Sequence, residues 1–379
     1  MIEQSIKNSF ERAFSFPPSF IVRAPGRINL IGEHTDYNNG FVFPAAIDRY
    51  VYLAFAANML TSNSRVIAKD LEDSATIHLS SLEKTDVQWK NFLLGILLQF
   101  KQQGHELKDF NCLIQSTVPI GAGMSSSSAL ECGFAKGIAH LNKIELSNWE
   151  IVDISHKSNH EFLGIKGGIM DQFSSLFGRK EFGMILDCQD RSHSYVPINL
   201  QDYQWVLINS NIKHDHLVSG YGDRVKECRE AESNLEISTL RSMTTQHLKS
   251  YKSKLSEIHY KRSKFVLEEN ARVQTFAEAL KSQKVEKLGD LLYKSHNGLK
   301  NEYEVSCEEL DFLVELSKKE EGVLGARMMG GGFGGCTINL IKKKSIEETI
   351  TNIKDAYLSK YTIRPEHYLV EIVDGVKIL

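Results

Sequence analysis

Two short stretches of this chain concentrate the residues that could do chemistry. Between Arg27 and Asp36 stand Arg27, Asn29, Glu33, His34, Thr35 and Asp36. Carboxylates accept from hydroxyl groups and an imidazole can donate or accept, so this set suits a hydroxyl-rich ligand. A solvated turn could look similar. The interleaved Ile28, Leu30 and Ile31 argue instead for a segment anchored in a core.

The second stretch is Pro119-Ile-Gly-Ala-Gly-Met-Ser-Ser-Ser-Ser-Ala-Leu130. Gly121 and Gly123 permit positive φ and close backbone approach. Serines lead into an apolar helix face, and a helix N-terminus offers free N–H groups and partial positive charge to a phosphate. The rival reading is plain helix capping, because Ser128-x-x-Glu131 has the form of a capping box. This loop is not G-x-x-x-x-G-K-[ST], a pattern the chain lacks, and it is not G-x-G-x-x-G either, which disfavours a P-loop enzyme and a dinucleotide-binding dehydrogenase.

The elements that must hold these residues follow from patterning. Helices are expected at 3–14, 89–102, 126–140, 149–163, 169–177 and 345–359, with a mostly helical region from 221 to 320. Strands are expected at 19–23, 46–56, 110–117, 183–187, 193–197, 205–209 and 367–373. A turn is expected at Pro25-Gly26, and a dense glycine run, Gly330 to Gly335, separates two further strand-like segments. Strands and helices without regular alternation imply an α+β fold. The 379 residues exceed the usual size of one core, so two domains are expected, 1–185 and 186–379.

Composition narrows the class. Apolar residues make up 42% and charged residues 25%, and the formal net charge is -3. Nothing here favours nucleic acid or an anionic membrane as partner. The best apolar run, Asn91 to Phe100, is too short to span a bilayer, and the N-terminus lacks a signal-like apolar region. Six scattered cysteines without C-x-x-C read as reduced thiols of a cytoplasmic protein. His156 and His160, spaced i, i+4, lack the third ligand of a zinc site. His214-Asp-His216 reads as a polar turn. Nothing requires more than a monomer.

Three separated motifs then agree. Arg23 to Gly40 resembles the galactokinase signature, Pro119 to Leu130 the phosphate-binding motif of GHMP kinases, and Gly325 to Cys336 that family's third motif. G-I-M-D-Q-F at 168–173 and S-N-I-K at 210–213, followed by Tyr221, also match. The resemblance implies a two-domain GHMP-kinase-like fold with its site between the domains. It further implies transfer of the γ-phosphoryl of ATP, with Mg2+, to the anomeric hydroxyl of galactose. By that resemblance Glu33, His34, Asp36, Gly168 and Tyr221 bind the sugar. Gly121, Ala122, Gly123, Met124, Ser125, Ser126 and Ser127 wrap the ATP phosphates, and Trp89 lies near the adenine. Asp171 is the base and Arg27 the charge stabiliser, while Ser127 and Asn159 hold the metal. The family usually has glutamate at the position of Asn159. Asn brings an oxygen without charge, and Glu161 would point to a different helix face. A kinase for N-acetylgalactosamine or arabinose, or a sugar-sensing regulator without catalysis, are the alternative readings.

Overall fold

The computed structural model describes residues 2–59, 62–119, 121–213 and 217–379; the expected turn at 214–216 lies outside the described residues. The strands in chain order are β1 (Phe20–Asn29), β2 (Phe41–Val42), β3 (Pro44–Ala57), β4 (Ser64–Ala68), β5 (Asp73–Ile77), β6 (Phe110–Ser116), β7 (Phe182–Asp187), β8 (His193–Pro197), β9 (Tyr203–Lys213), β10 (Val323–Met328), β11 (Gly334–Lys342), β12 (Glu366–Leu369) and β13 (Lys377–Ile378). The helices are α1 (Ile2–Phe14), α2 (Gln88–Gln102), α3 (Ser126–Asn142), α4 (Asn148–Lys157), α5 (Met170–Phe177), α6 (Leu217–Leu235), α7 (Thr245–Ser250), α8 (Glu257–Lys281), α9 (Val285–Asn301), α10 (Glu308–Lys319) and α11 (Ile346–Tyr361). The α+β class stands.

Strand alternation builds the layers. In the sheet β13-β1-β3-β6-β4-β5, Val51, Leu53 and Phe55 of β3 face the core formed with α2 to α5. Tyr52, Ala54 and Ala56 face Ile6, Phe10 and Phe14 of α1. The period of two places apolar residues on both faces, as a doubly covered sheet requires. The sheet β10-β11-β9-β12 repeats the device. Val206 and Ile208 pack under α10 and α11, while Trp205 and Leu207 join the same core as the first sheet. A small sheet, β2-β7-β8, lies beside them. The boundary expected between 185 and 186 falls inside β7, and β13 pairs back onto β1.

Several local expectations are corrected. Pro25-Gly26 makes no turn. β1 runs through it with a bulge between Pro25 and Arg27, and a bulge re-aims the side chain that follows. The capping box at Ser128 and Glu131 does not form. α3 starts at Ser126 after Ser125 at φ 55°, and Glu131 is buried inside the helix. Ser147 and Glu150 make the reciprocal cap instead. The helix expected over 149–163 changes at residue 158 into a π-helical turn, Ser158–Leu163. The strand expected over 367–373 ends at Leu369, beyond which the chain leaves the sheet to bridge Ile372 to Ile47. β4 and β5, a part-exposed hairpin, had no sequence signal strong enough to mark them.

One side chain joins the two large sheets. Arg327 of β10 has no exposed surface. Its guanidinium donates to Glu33 Oε1 at 3.0 Å and to the carbonyls of Leu30, Asn29 and Met328. Removing one partner of a buried pair strands the other charge, at a cost of about 3–5 kcal/mol. Arg327→Met should therefore lower the urea-unfolding free energy by roughly that amount, and adding Glu33→Leu should recover part of the loss. Unchanged stability in the single variant would show that the joint is not held this way.

Candidate active site

The polar segment expected to hold a hydroxylated ligand is no solvated turn. Asn29, Thr35 and Asn38 have no exposed surface, and Glu33 has 2%. Buried polar groups need partners, and the second half of the chain supplies many of them. Glu33 accepts from Arg327 and from the Gly330 N–H at 2.8 Å. Glu269 of α8 accepts from the Gly32 N–H at 2.9 Å, and Asn270 from the Phe41 N–H at 2.7 Å. Arg241 holds Asp187 through both oxygens and donates to the Asn39 carbonyl.

His34 sits in the left-handed region, φ 62°. Its Nδ1 pairs with Tyr37 Oη at 2.8 Å, which pairs with Tyr303 Oη at 2.9 Å. Burial pushes its pKa down to about 3 against the opposing Gly331 backbone hydrogen bond, so the ring is neutral. The Tyr221 ring lies 5.5 Å from it. Burial, with Asp171 and Glu33 close by, pushes Asp36 up to about 7.

Arg27 and Asp171 meet across 144 positions of sequence. Arg27 Nε donates to Asp171 Oδ1 at 2.8 Å, another guanidinium nitrogen donates to the Gly123 carbonyl, and Ser125 Oγ donates to Asp171 Oδ2. Arg27 is buried and Asp171, in the first turn of α5, is half-buried. The glycine-serine loop has the expected geometry, with Gly121 at φ 77° and Gly123 at φ 72°.

Two cavities meet here. One of about 240 Å³ is lined by Gly121, Gly123, Met124 and Ser125 to Ser127. The other, about 550 Å³, is lined by Glu33, His34, Asp36, Gly168, Asp171, Tyr221 and Asn159. Arg27, Ser127, Gly330 and Gly331 line both. Ala122 is buried beneath the loop. Trp89 lines neither cavity, and its indole N–H donates to Asp73 at 2.9 Å. Glu161 accepts from Gln99 and stays off the cleft, as its spacing implied.

Other residues of the site had no assigned place in the sequence reading. Gly330 and Gly331 complete both cavities, and the dense glycine run was their signal. Arg327, Tyr37 and Tyr303 hold Glu33 and His34 from behind; Arg327 and Tyr37 fall within the quoted motifs without a role of their own, and no local pattern marks Tyr303. His156 and His160 line the cleft and both bond the Gly167 carbonyl, at 3.2 and 2.9 Å. No group of three His, Cys, Asp or Glu that could hold a metal is found among the described residues. Besides the Asp171 carboxylate, the side-chain oxygens that line the cleft include two neutral ones, the Ser127 hydroxyl and the Asn159 amide, whose Nδ2 donates inward to Glu131 at 3.0 Å. Neutral hard oxygens of this kind fit a cation held mainly through phosphates and water. Burial pushes Glu131 up to about 8.

Comparison with known proteins agrees with this geometry. Residues 8–57 match the galactokinase galactose-binding signature, 91–179 the GHMP kinases N terminal domain and 276–358 the GHMP kinases C terminal domain. A galactokinase of Thermotoga neapolitana is 40% identical over 94% of this chain and 99% of its own length. One of Staphylococcus carnosus is 36% identical over 98% of each chain. The crystal structure of Lactococcus lactis galactokinase complexed with galactose superposes with a TM-score of 0.95 at 30% identity, covering all of both chains.

Gly168 shows how tightly the cleft is built. A Cβ there would lie 2.1 Å from Asp36 Oδ2. Overpacking costs about 1–3 kcal/mol, so Gly168→Ala should lower the urea midpoint correspondingly. Gly222→Ala, where a Cβ meets nothing within 4 Å, should leave the midpoint unchanged or raise it slightly. A Gly168→Ala midpoint at the parent value would show that the 164–168 loop yields freely.

Proposed function

The chain belongs to the galactokinase family of GHMP kinases, and from that premise we propose that it transfers the γ-phosphoryl of ATP to the anomeric hydroxyl of galactose, giving galactose 1-phosphate and ADP. The observation that carries this reading is the junction of the two cavities at Arg27 and Ser127, with Asp171 beside it. A sugar among Glu33, His34, Asp36, Gly168 and Tyr221 would present a hydroxyl toward phosphates held by the 121–127 loop.

Phosphoryl transfer asks the protein chiefly to position groups and neutralise charge. Loop N–H groups and serine hydroxyls bind the polyphosphate at the start of α3. Arg27 places a permanent positive charge beside the transferring oxygens. Asp171 receives the hydroxyl proton. Each of its oxygens already accepts one bond, from Arg27 and from Ser125, and a carboxylate has about four acceptor positions, so lone pairs remain for the substrate. The bonds hold the carboxylate in place before substrate arrives. Ser127 and Asn159 would hold Mg2+, which when bound neutralises phosphate charge. Trp89 we read as an outlying wall near the adenine, held in place by Asp73.

The chain is read as two lobes around this cleft, the first built on β1 and the second on β9. We read the protein as acting as a monomer. All six cysteines are free thiols, as in a cytoplasmic protein, and no helix among the described residues is long and apolar enough to cross a membrane.

ADP release with galactose, glucose, N-acetylgalactosamine and arabinose tests the assignment. Galactose-dependent turnover is expected, and sugar binding without turnover would overturn it. Asp171→Asn should lower kcat by roughly a hundred- to ten-thousand-fold with galactose binding kept; near-parental turnover would remove Asp171 from the base role. A sugar hydroxyl donating to Asp36 favours its ionised form, so binding releases a proton. The KM for galactose should therefore fall as pH rises through about 7 and then level off. Asp36→Asn should abolish that step, and a flat KM in the parent would contradict it.

A further inference from the structure

No step above uses Glu131, a carboxyl with no exposed surface one turn into α3. Ser155 Oγ donates to its Oε2 at 2.8 Å, and Asn159 Nδ2 donates to the same oxygen at 3.0 Å. The Gln172 side chain approaches the same carboxyl. Glu131 Oε1 and Gln172 Oε1 are both buried without a partner among the described residues. For packing alone, an apolar residue would serve this position better than a carboxyl. Glu131 lies behind the cleft, whereas Asn159 and Gln172, the neighbour of Asp171, line it.

The two ends of an asparagine amide are nearly equal in size and opposite in polarity. Which end faces the cleft decides whether it attracts or repels a cation. Glu131 Oε2 is an acceptor already receiving the Ser155 hydroxyl, so the amide turns its NH2 end inward. The Asn159 Oδ1 is the end left toward the cleft, with no donor to it among the described residues. The π-helical turn that begins at Ser158 sets Asn159 within reach of both sides.

We propose that Glu131 is a positioning residue that fixes Asn159 with its carbonyl oxygen presented to the cleft as a cation ligand. This rests on Asn159 being a metal ligand in the reaction proposed above. Residues that orient a metal ligand from behind typically govern ten- to a hundred-fold in metal affinity, roughly.

The test is Mn2+ binding to the enzyme–ADP complex, followed by the Mn2+ electron spin resonance signal, with galactose affinity measured alongside as a check on the fold. Glu131→Leu keeps bulk and removes the acceptor, so it should weaken Mn2+ by roughly ten-fold or more with galactose affinity kept. Glu131→Gln keeps an acceptor for Ser155 and Asn159 and offers its amino end to Gln172, so it should bind Mn2+ within about threefold of the parent. Asn159→Leu should match Glu131→Leu, and the double variant should be no weaker, because both remove one unit. Parental Mn2+ affinity in Glu131→Leu alongside a weakened Asn159→Leu overturns the positioning role alone. Parental affinity in Asn159→Leu overturns the metal assignment and this inference with it. Glu131→Gln as weak as Glu131→Leu assigns the effect to charge and overturns orientation. Should Glu131→Leu not fold, Glu131→Asp withdraws the acceptor by one methylene and takes its place under the same criteria.

Discussion

The cleft depends on one constraint, which is that the segment from Asn29 to Gly40 is both polar and buried. Such a segment is stable only if nearly every donor and acceptor finds a partner. The Arg327–Glu33 pair is the centre of that solution. Arg327 also caps the carbonyls of Asn29 and Leu30, where the backbone leaves β1. Glu269, Asn270, Arg241 and Tyr303 add further partners from the second half of the chain. The polar segment therefore takes many of its hydrogen-bond partners from residues more than two hundred positions away.

The same burial sets the electrostatics. Glu33, Asp36, Asp171 and Arg27 are among the ionisable side chains that share a volume partly closed to water. Glu33 is matched by Arg327 and Asp171 by Arg27. Asp36 has no ion-pair partner among the described residues, and burial first, then the Asp171 carboxylate, raises its pKa. Substrate hydroxyls would supply what is missing. His34, driven neutral by burial and held by Tyr37, adds a hydrogen-bonding group without another charge. In the proposed reaction these acceptors would serve the sugar and the Arg27 guanidinium the phosphate oxygens.

Backbone irregularities do much of the aiming. Arg27 follows the bulge after Pro25, and its N–H bonds the Met124 carbonyl at 3.1 Å, which ties β1 to the glycine-serine loop. The π-helical turn at Ser158–Leu163 carries Asn159. Bulges and π turns insert a residue into a regular ladder, and each tends to occur where a side chain must leave the regular face. Gly168 answers the same need by omission, because only a residue without Cβ leaves room for Asp36.

Residue order and type were enough to read the fold class, most helices and strands, the glycine loop that leads into α3, and the meeting of Arg27 with Asp171. Those signals are local, since periodicity, glycine placement and motif spacing all act within a few residues along the chain. The failures share a cause as well. Ser128 and Glu131 have the spacing of a capping box, yet Glu131 is buried against Ser155 and Asn159. The Pro25-Gly26 pair has turn composition, yet pairing with β3 carries the strand through it. In each case a partner distant in sequence outweighed the local preference. Tyr303 could be given no role from sequence, Arg327 no more than a place in a motif, and Glu131 only the role of a cap it does not make, for the same reason. Their meaning lies in what they touch, and packing of a chain with most of its polar segment buried decides those contacts through desolvation and hydrogen-bond pairing rather than through any pattern along the backbone.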